Sequence, residues 1–204
     1  MSEQKTALLV DWGGVLTTDL FASFRAFCAD NNIDPEAIGH AFRNDPSAQQ
    51  LLFDLECGKI TEAEFEPGFA DLIGAPAEGL IDGLFGRIEP DHVMIEAVRT
   101  ARALGIPTGL VSNSWGTRRY PQELLDELFD GVVISGNEGM RKPAPEIYVL
   151  GAERTGVQTS DCVFVDDLHF NLDPARELGM APIHHKDTAE TVAELERLLG
   201  VELA

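Results

Sequence analysis

The stretch LLVDWGGVLTTD (Leu8–Asp19) decides how this chain is read. An apolar run, TALLVD (6–11), delivers one aspartate, Asp11, and two glycines follow it. A continuous apolar run of this length suits a strand covered on both faces, as in a parallel sheet. Three more runs read the same way: IPTGLVS (106–112), GVVISG (131–136) and CVFVDD (162–167), with APIHH (181–185) a weaker fifth. Between them lie helical patterns. DHVMIEAVRTARALG, APEIYVLGAERTG and TAETVAELERLLG end on Gly105, Gly156 and Gly200, where glycine commonly closes a helix. Strands alternating with helices imply βαβ units, and so an α/β fold with a doubly wound, Rossmann-like parallel sheet.

Residues 19–89 break that rhythm. LFASFRAFCADNN, PEAIGHAFRN, PSAQQLLFDLECG, TEAEFEPGFADLIG and EGLIDGLFGRI read as four or five short amphipathic helices without a strand. The expected organisation is therefore a core of residues 1–18 and 90–204 carrying an inserted all-helical cap at 19–89. An independent helical domain is the alternative. The point of departure argues against it, because the insert leaves directly after the Asp11 strand, and parallel sheets bind ligands at the carboxyl ends of their strands.

Composition narrows the function. The chain has 204 residues, 44% of them hydrophobic, enough for one sizeable core. Its 15 Lys+Arg face 35 Asp+Glu, a formal charge of −20. Such a field opposes nucleic acid and anionic membranes, and an anionic small molecule needs a locally positive site. The three cysteines are odd in number and lack metal-like spacing, so Cys162 reads as a small core residue. The segment MSEQKTALLVD has no secretory character and no apolar run reaches 18 residues. A cytoplasmic protein, monomeric or homodimeric, is expected.

The ends of the strands carry the chemistry. The first ends in Asp11, the second in Ser112-Asn113 and the fourth in Asp166-Asp167, while GNEGMRKPAPEIY after the third places Lys142 just before a helix. Singly, each has a mild explanation: aspartates cap helices, Ser-Asn forms turns, and lysines are solvated. In a parallel sheet, however, all four share one edge. Three carboxylates packed there repel one another, and Lys142 with one divalent cation balances them. Oxygen-only ligands favour a hard cation such as Mg²⁺ over zinc.

The set DWGGVL, VSNS, RKPAPEIY and VFVDDLHFNLDPARELGM resembles the four motifs of the haloacid dehalogenase superfamily. It is most similar to phosphatase-type members with a small helical (C1) cap, such as the N-terminal phosphatase domain of soluble epoxide hydrolases. The cap matches in placement and in one phrase, LECGKITEAEF. The resemblance implies a Mg²⁺-dependent phosphatase acting on a small phosphorylated metabolite through an aspartyl-phosphate. It makes Asp11 the nucleophile, and Asp11, the Gly13 carbonyl, Asp166 and Asp167 the metal site. Ser112, Asn113 and Lys142 become the phosphate-binding groups, with Lys142 also neutralising the transferring phosphoryl group. Substrate contacts are expected from Glu56 and Lys59 in the cap and from Trp115.

Gly13 departs from that pattern. Phosphatases of this superfamily usually carry an aspartate two residues beyond the nucleophile, where it protonates the leaving oxygen and then activates water. Such acid–base help is worth about 10²–10⁴ in rate. Three readings follow. A true phosphatase borrows an acid, with Glu56, Lys59 or Asp19 as candidates, or takes a substrate whose leaving group needs little protonation. A 2-haloacid dehalogenase expels halide without a proton, but then Asp166-Asp167 is costly, and Arg25 and Arg43 are unanchored as its cap arginine. A catalytically weak relative binds a phosphate or a partner. Elsewhere, Arg118 and Arg119 are candidates for attracting anions, His184 and His185 read as strand-end residues, and Asn171 as a helix cap or a support for the acidic loop.

Overall fold

The computed structural model describes residues 4–203. Five strands form a single parallel sheet in the order β3-β2-β1-β4-β5: β1 (Ala7–Val10), β2 (Thr108–Ser112), β3 (Gly131–Ile134), β4 (Cys162–Asp166) and β5 (Ala181–His184). The chain runs outward from β1 in both directions, the doubly wound arrangement the apolar runs predict. Alternation within each strand decides which layer is covered. Leu8, Val10, Leu110, Val163 and Val165 face α6 (His92–Ala103), α7 (Gln122–Leu128) and α11 (Thr188–Leu199). Ala7, Leu9, Val111, Cys162 and Phe164 face α9 (Pro145–Thr155) and α10 (Leu172–Glu177). All residues of β1, β2 and β4 are buried, as central parallel strands require.

Strand β3 is shorter than its apolar run. Ser135 and Gly136 leave the sheet into a single helical turn, α8 (Ser135–Glu138), which Gly139 closes in the left-handed region at φ 69°. The reason is tertiary. Ser135 Oγ accepts from the Ser114 N–H (2.9 Å) and donates to the Glu56 carbonyl (2.5 Å), so this segment is turned toward its neighbours.

Five helices separate β1 from α6: α1 (Leu20–Asp30), α2 (Ala37–Asn44), α3 (Pro46–Glu56), α4 (Glu62–Ile73) and α5 (Leu80–Phe85). Their starts follow local chemistry. Asp19 and Asp45 accept from the first-turn N–H groups of α1 and α3, and Thr61 with Glu64 forms a reciprocal capping box on α4. They enclose a core of their own around Phe24, Ile38, Phe65, Phe69 and Ile81. The two connections run side by side: the Thr18 N–H donates to Glu89 O (2.8 Å), and Asp91 N–H to Leu16 O (2.9 Å). From the sheet side, Trp115 inserts its ring among Phe24, Phe42, Phe65 and Phe85.

Candidate active site

Sheet register builds the site. Val10 pairs with Val165, so Asp11 and Asp166 stand level on adjacent strand ends, and Asp11 N–H still donates to Val165 O (2.9 Å). Ser112 ends β2, the other neighbour of β1, and Lys142 approaches from beyond β3. Lys142 is completely buried, with Nζ 2.9 Å from Asp11 Oδ1 and 2.6 Å from Asp166 Oδ2. Burial alone disfavours the ammonium, but Asp11 and Asp166 outweigh it and hold Lys142 above its ordinary range.

Around this lysine the polar groups are committed. The Asn113 amide clasps its backbone: Nδ2 donates to Lys142 O (3.0 Å) and Oδ1 accepts from Lys142 N–H (2.8 Å). The Asn113 side chain therefore positions Lys142. Asp166 is equally occupied. Its Oδ1 accepts from Leu168 N–H (2.8 Å) and Asn171 Nδ2 (3.0 Å), and its Oδ2 from Lys142 and from Asn171 (3.1 Å). Asn171 thus steadies the acidic loop and makes no side-chain cap on α10. Ser112 is buried, with Oγ 3.0 Å from the Tyr120 hydroxyl. His184 Nε2 lies 2.9 Å from the backbone Asp167 O and His185 Nδ1 2.9 Å from the Thr191 hydroxyl on α11, so the two histidines tie the end of β5 to the acidic loop and to α11.

Asp11, Asp166 and Asp167 each bring a carboxylate oxygen within 4.8 Å of the others. Burial, opposed by Lys142 and reinforced by Asp166, pushes Asp11 up to about 6. Burial and then the charges of Asp11 and Asp166 push Asp167 up to about 8. Three carboxylates against one ammonium leave two negative charges for another cation. Asn171 Oδ1 is also buried there and accepts no hydrogen bond. Oxygen donors and this charge deficit fit a hard divalent ion such as Mg²⁺.

The glycine pair has two separate tasks. Gly14 has φ 71°, and a Cβ on it would meet Asp167 Oδ2 at 2.5 Å, so only glycine lets the chain pass the acidic loop. Beside Gly13 the Leu20 side chain fills the space, 2.4 Å from where a Cβ would stand. Nothing in the sequence pairs Gly13 with Leu20, and neither that contact nor the Gly14 approach is legible without the fold. Gly13→Asp is expected to destabilise the protein by about 1–3 kcal/mol through overpacking. Gly13→Asp/Leu20→Ala should recover most of that loss in thermal melts; equal melting temperatures for the two variants would refute the steric account.

A cavity of 770 Å³ opens over the site, lined by Asp11, Gly13, Asn113, Asp167 and Asn171 at its floor. Its walls are chiefly apolar and come from Leu20, Phe21, Phe24, Phe42, Leu52, Phe53, Trp115 and Phe170, with Arg43, Glu56 and Arg141 among them. Ser112 lies in a neighbouring 380 Å³ cavity, which shares Gly13, Leu20, Asn113 and Trp115 with the larger one. Lys59 is placed elsewhere: its ammonium pairs with Asp54 at 3.4 Å and lies over the Phe53 ring, and the residue lines neither cavity. Asp19 caps α1 and pairs with Arg25, away from both cavities. Arg118 and Arg119 are bound to Glu62 of α4 and Asp82 of α5, which clamps the helical layer to the loop after β2. Arg141, which the sequence did not single out beside its catalytic-looking neighbour, completes the wall.

A doubly wound parallel sheet whose strand ends gather three aspartates around a buried lysine defines a Rossmann-like α/β protein with an acidic site. Residues 5–179 match the haloacid dehalogenase-like hydrolase family, and the chain belongs to it. The chain is 35% identical to pig (Sus scrofa) bifunctional epoxide hydrolase 2 over 55% of its own length but only 22% of that protein's, so it spans about a fifth of that relative. It is 41% identical to an Escherichia coli fructose-1-phosphate phosphatase, over 71% of this chain and 81% of that one. A sesquiterpene phosphatase from Aspergillus oryzae is 26% identical over 95% and 96% of the two chains. A haloacid dehalogenase-family enzyme from Bacteroides thetaiotaomicron, solved with magnesium and inorganic phosphate, superposes with a TM-score of 0.65 at 23% identity, covering 89% of this chain and 94% of that one. Among the described residues no helix is long and apolar enough to cross a membrane.

Proposed function

We propose that this hydrolase is a Mg²⁺-dependent phosphatase that cleaves phosphomonoesters of small organic alcohols through Asp11. The observation that carries this reading is the wholly buried Lys142 bridging Asp11 and Asp166, with Asp167 beside them. Phosphoryl transfer asks mainly for in-line positioning and for compensation of charge on the equatorial oxygens. Lys142 supplies that compensation and keeps Asp11 ionised against its burial. Asp11 attacks phosphorus, and the alcohol leaves. Asp166 orients Lys142 rather than facing the substrate, since both its oxygens are in use. Asp11, Asp167 and the Gly13 carbonyl are the groups that would hold Mg²⁺, with Asp166 adjoining. Bound there, the ion neutralises the phosphoryl group and the attacking carboxylate.

The five helices act as a cap over the site, with residues 19–89 as its span. Closure excludes water, and the Arg118/Arg119 clamp to Glu62 and Asp82 holds it shut. The apolar walls favour an alcohol with a hydrocarbon or aromatic body, in keeping with the sesquiterpene phosphatase relative more than with the sugar-phosphate one. Halide displacement is disfavoured, because it calls for no divalent cation and leaves the third carboxylate, Asp167, buried without a counter-charge.

The test is phosphate release with Mg²⁺ and with EDTA, using a prenyl phosphate, an aryl phosphate, fructose 1-phosphate and 2-chloropropionate. Metal-dependent release is expected, with the prenyl ester preferred over the sugar ester by at least about tenfold in kcat/KM, the worth of a methylene or two in an apolar pocket. Metal-independent chloride release would replace this reading with dehalogenation. Binding of a phosphate ligand without any turnover would replace it with a binding protein.

A further inference from the structure

Gly13 offers the site no side chain that could donate a proton, and Leu20 occupies the space beside it. The donor must therefore come from elsewhere on the cavity wall. Three carboxylates line that cavity: Asp11, Asp167 and Glu56. The first two are committed to phosphorus and to the cation. Glu56 is the last residue of α3 and is buried at 5% exposure.

Contacts with the segment after β3 fix its placement. Its carbonyl accepts from Ser135 Oγ, and the following turn presses Gly58 (φ 66°) so close to Gly136 O that a Cβ would stand 2.1 Å away. Arg141 Nη1 lies 2.6 Å from Glu56 Oε2 but aims no N–H at it, so Oε2 is buried without a hydrogen bond. Glu56 is thus a buried carboxyl in the cavity wall, ion-paired to Arg141 but with no hydrogen-bond donor aligned on Oε2, where such groups are normally satisfied.

We infer that Glu56 is the acid and base of the reaction, a conclusion that rests on the phosphatase reading above. In the first half, protonated Glu56 gives its proton to the ester oxygen as the P–O bond to the alcohol breaks and the bond from Asp11 to phosphorus forms. In the second half, ionised Glu56 takes a proton from water as the water oxygen joins phosphorus and the Asp11–phosphorus bond breaks. Alcohol and inorganic phosphate leave, and Glu56 is again protonated. Burial pushes Glu56 up to about 7, against the charges of Arg141 and Lys142 and with that of Asp11, while the Trp115 side chain opposes the rise. A group near 7 serves both halves at neutral pH.

Glu56→Gln keeps size and polarity, and is expected to lower kcat/KM for an alkyl phosphate about 10²–10⁴-fold. An aryl phosphate, whose leaving group needs no proton, should instead give a burst of one aryl alcohol per site followed by slow phosphate release. In the wild-type enzyme, kcat/KM for the alkyl ester should fall as pH rises through about 7, while the aryl ester shows no such limb. That profile decides the matter even if the variant folds poorly. Glu56→Gln within threefold of wild type on both esters, or an alkyl profile flat from pH 6 to 8, overturns the assignment while phosphatase activity stands. Absence of metal-dependent release from the wild type overturns both.

Discussion

Lys142→Met is expected to abolish turnover, lowering kcat by at least about 10³-fold, the scale of losing a preorganised charge partner from a transition state. Among the described residues the lysine is the sole ammonium paired with Asp11 or Asp166, and it is fully buried. Methionine matches its length but returns no charge, so two buried carboxylates lose their partner together. Breaking a buried pair from one side costs about 3–5 kcal/mol, and the melting temperature of a domain this size falls by about 2–4 °C per kcal/mol. A drop of about 10 °C should accompany the loss of activity.

Stability and catalysis then have to be separated. Lys142→Met/Asp166→Asn removes the charge stranded deepest, and its amide oxygen still accepts from Leu168 N–H. The double variant should regain several degrees in thermal melts without regaining phosphate release. Lys142→Arg should fail as well, because a planar guanidinium cannot occupy a point between oxygens at 2.6 and 2.9 Å in a space already filled. A Lys142→Met enzyme retaining a tenth of wild-type kcat would show that the phosphoryl group is neutralised by other means.

Strand ends are legible from sequence because they combine two local signals, an apolar run and the polar residue that stops it. Asp11, Ser112 and Asp166 were found in that way, and the parallel register needed no further information to bring Asp11 level with Asp166. Lys142 is legible through its neighbours in RKPAPEIY rather than through any property of its own. What escaped was contact between distant segments. Leu20 beside Gly13, Arg141 beside Glu56 and Ser135 beneath the Glu56 carbonyl join positions whose separations follow no period. Lys59, three residues from Glu56, sits past the end of α3, where the chain has turned toward Asp54, a turn that spacing alone does not reveal. The short β3 has a similar cause, since GVVISG carries no sign that Ser135 is needed by another segment.

Asp11→Asn is expected to remove phosphate release completely and yet to raise the melting temperature measured in EDTA at pH 8. Burial holds Asp11 at about 6 in the fold, above its ordinary 3.8, because Lys142 compensates only part of the burial cost and Asp166 adds to it. The folded state therefore binds the proton more tightly than the unfolded chain. Its stabilising effect is full below about pH 4 and is lost as pH rises through about 6. Above that, the fold carries a carboxylate it would rather see neutral, and Asp167, pushed up to about 8, adds a second such cost while facing the first. Asparagine keeps an oxygen for the Trp12 N–H and for Lys142 but carries no charge. It removes the burden on itself and eases that on Asp167. Wild type and variant should thus melt close together near pH 4 and diverge by about 4 °C or more at pH 8, at about 2–4 °C per kcal/mol. Parallel curves across that range would mean that Asp11 is not held ionised against its surroundings, and undiminished turnover would take the nucleophile's role away from it.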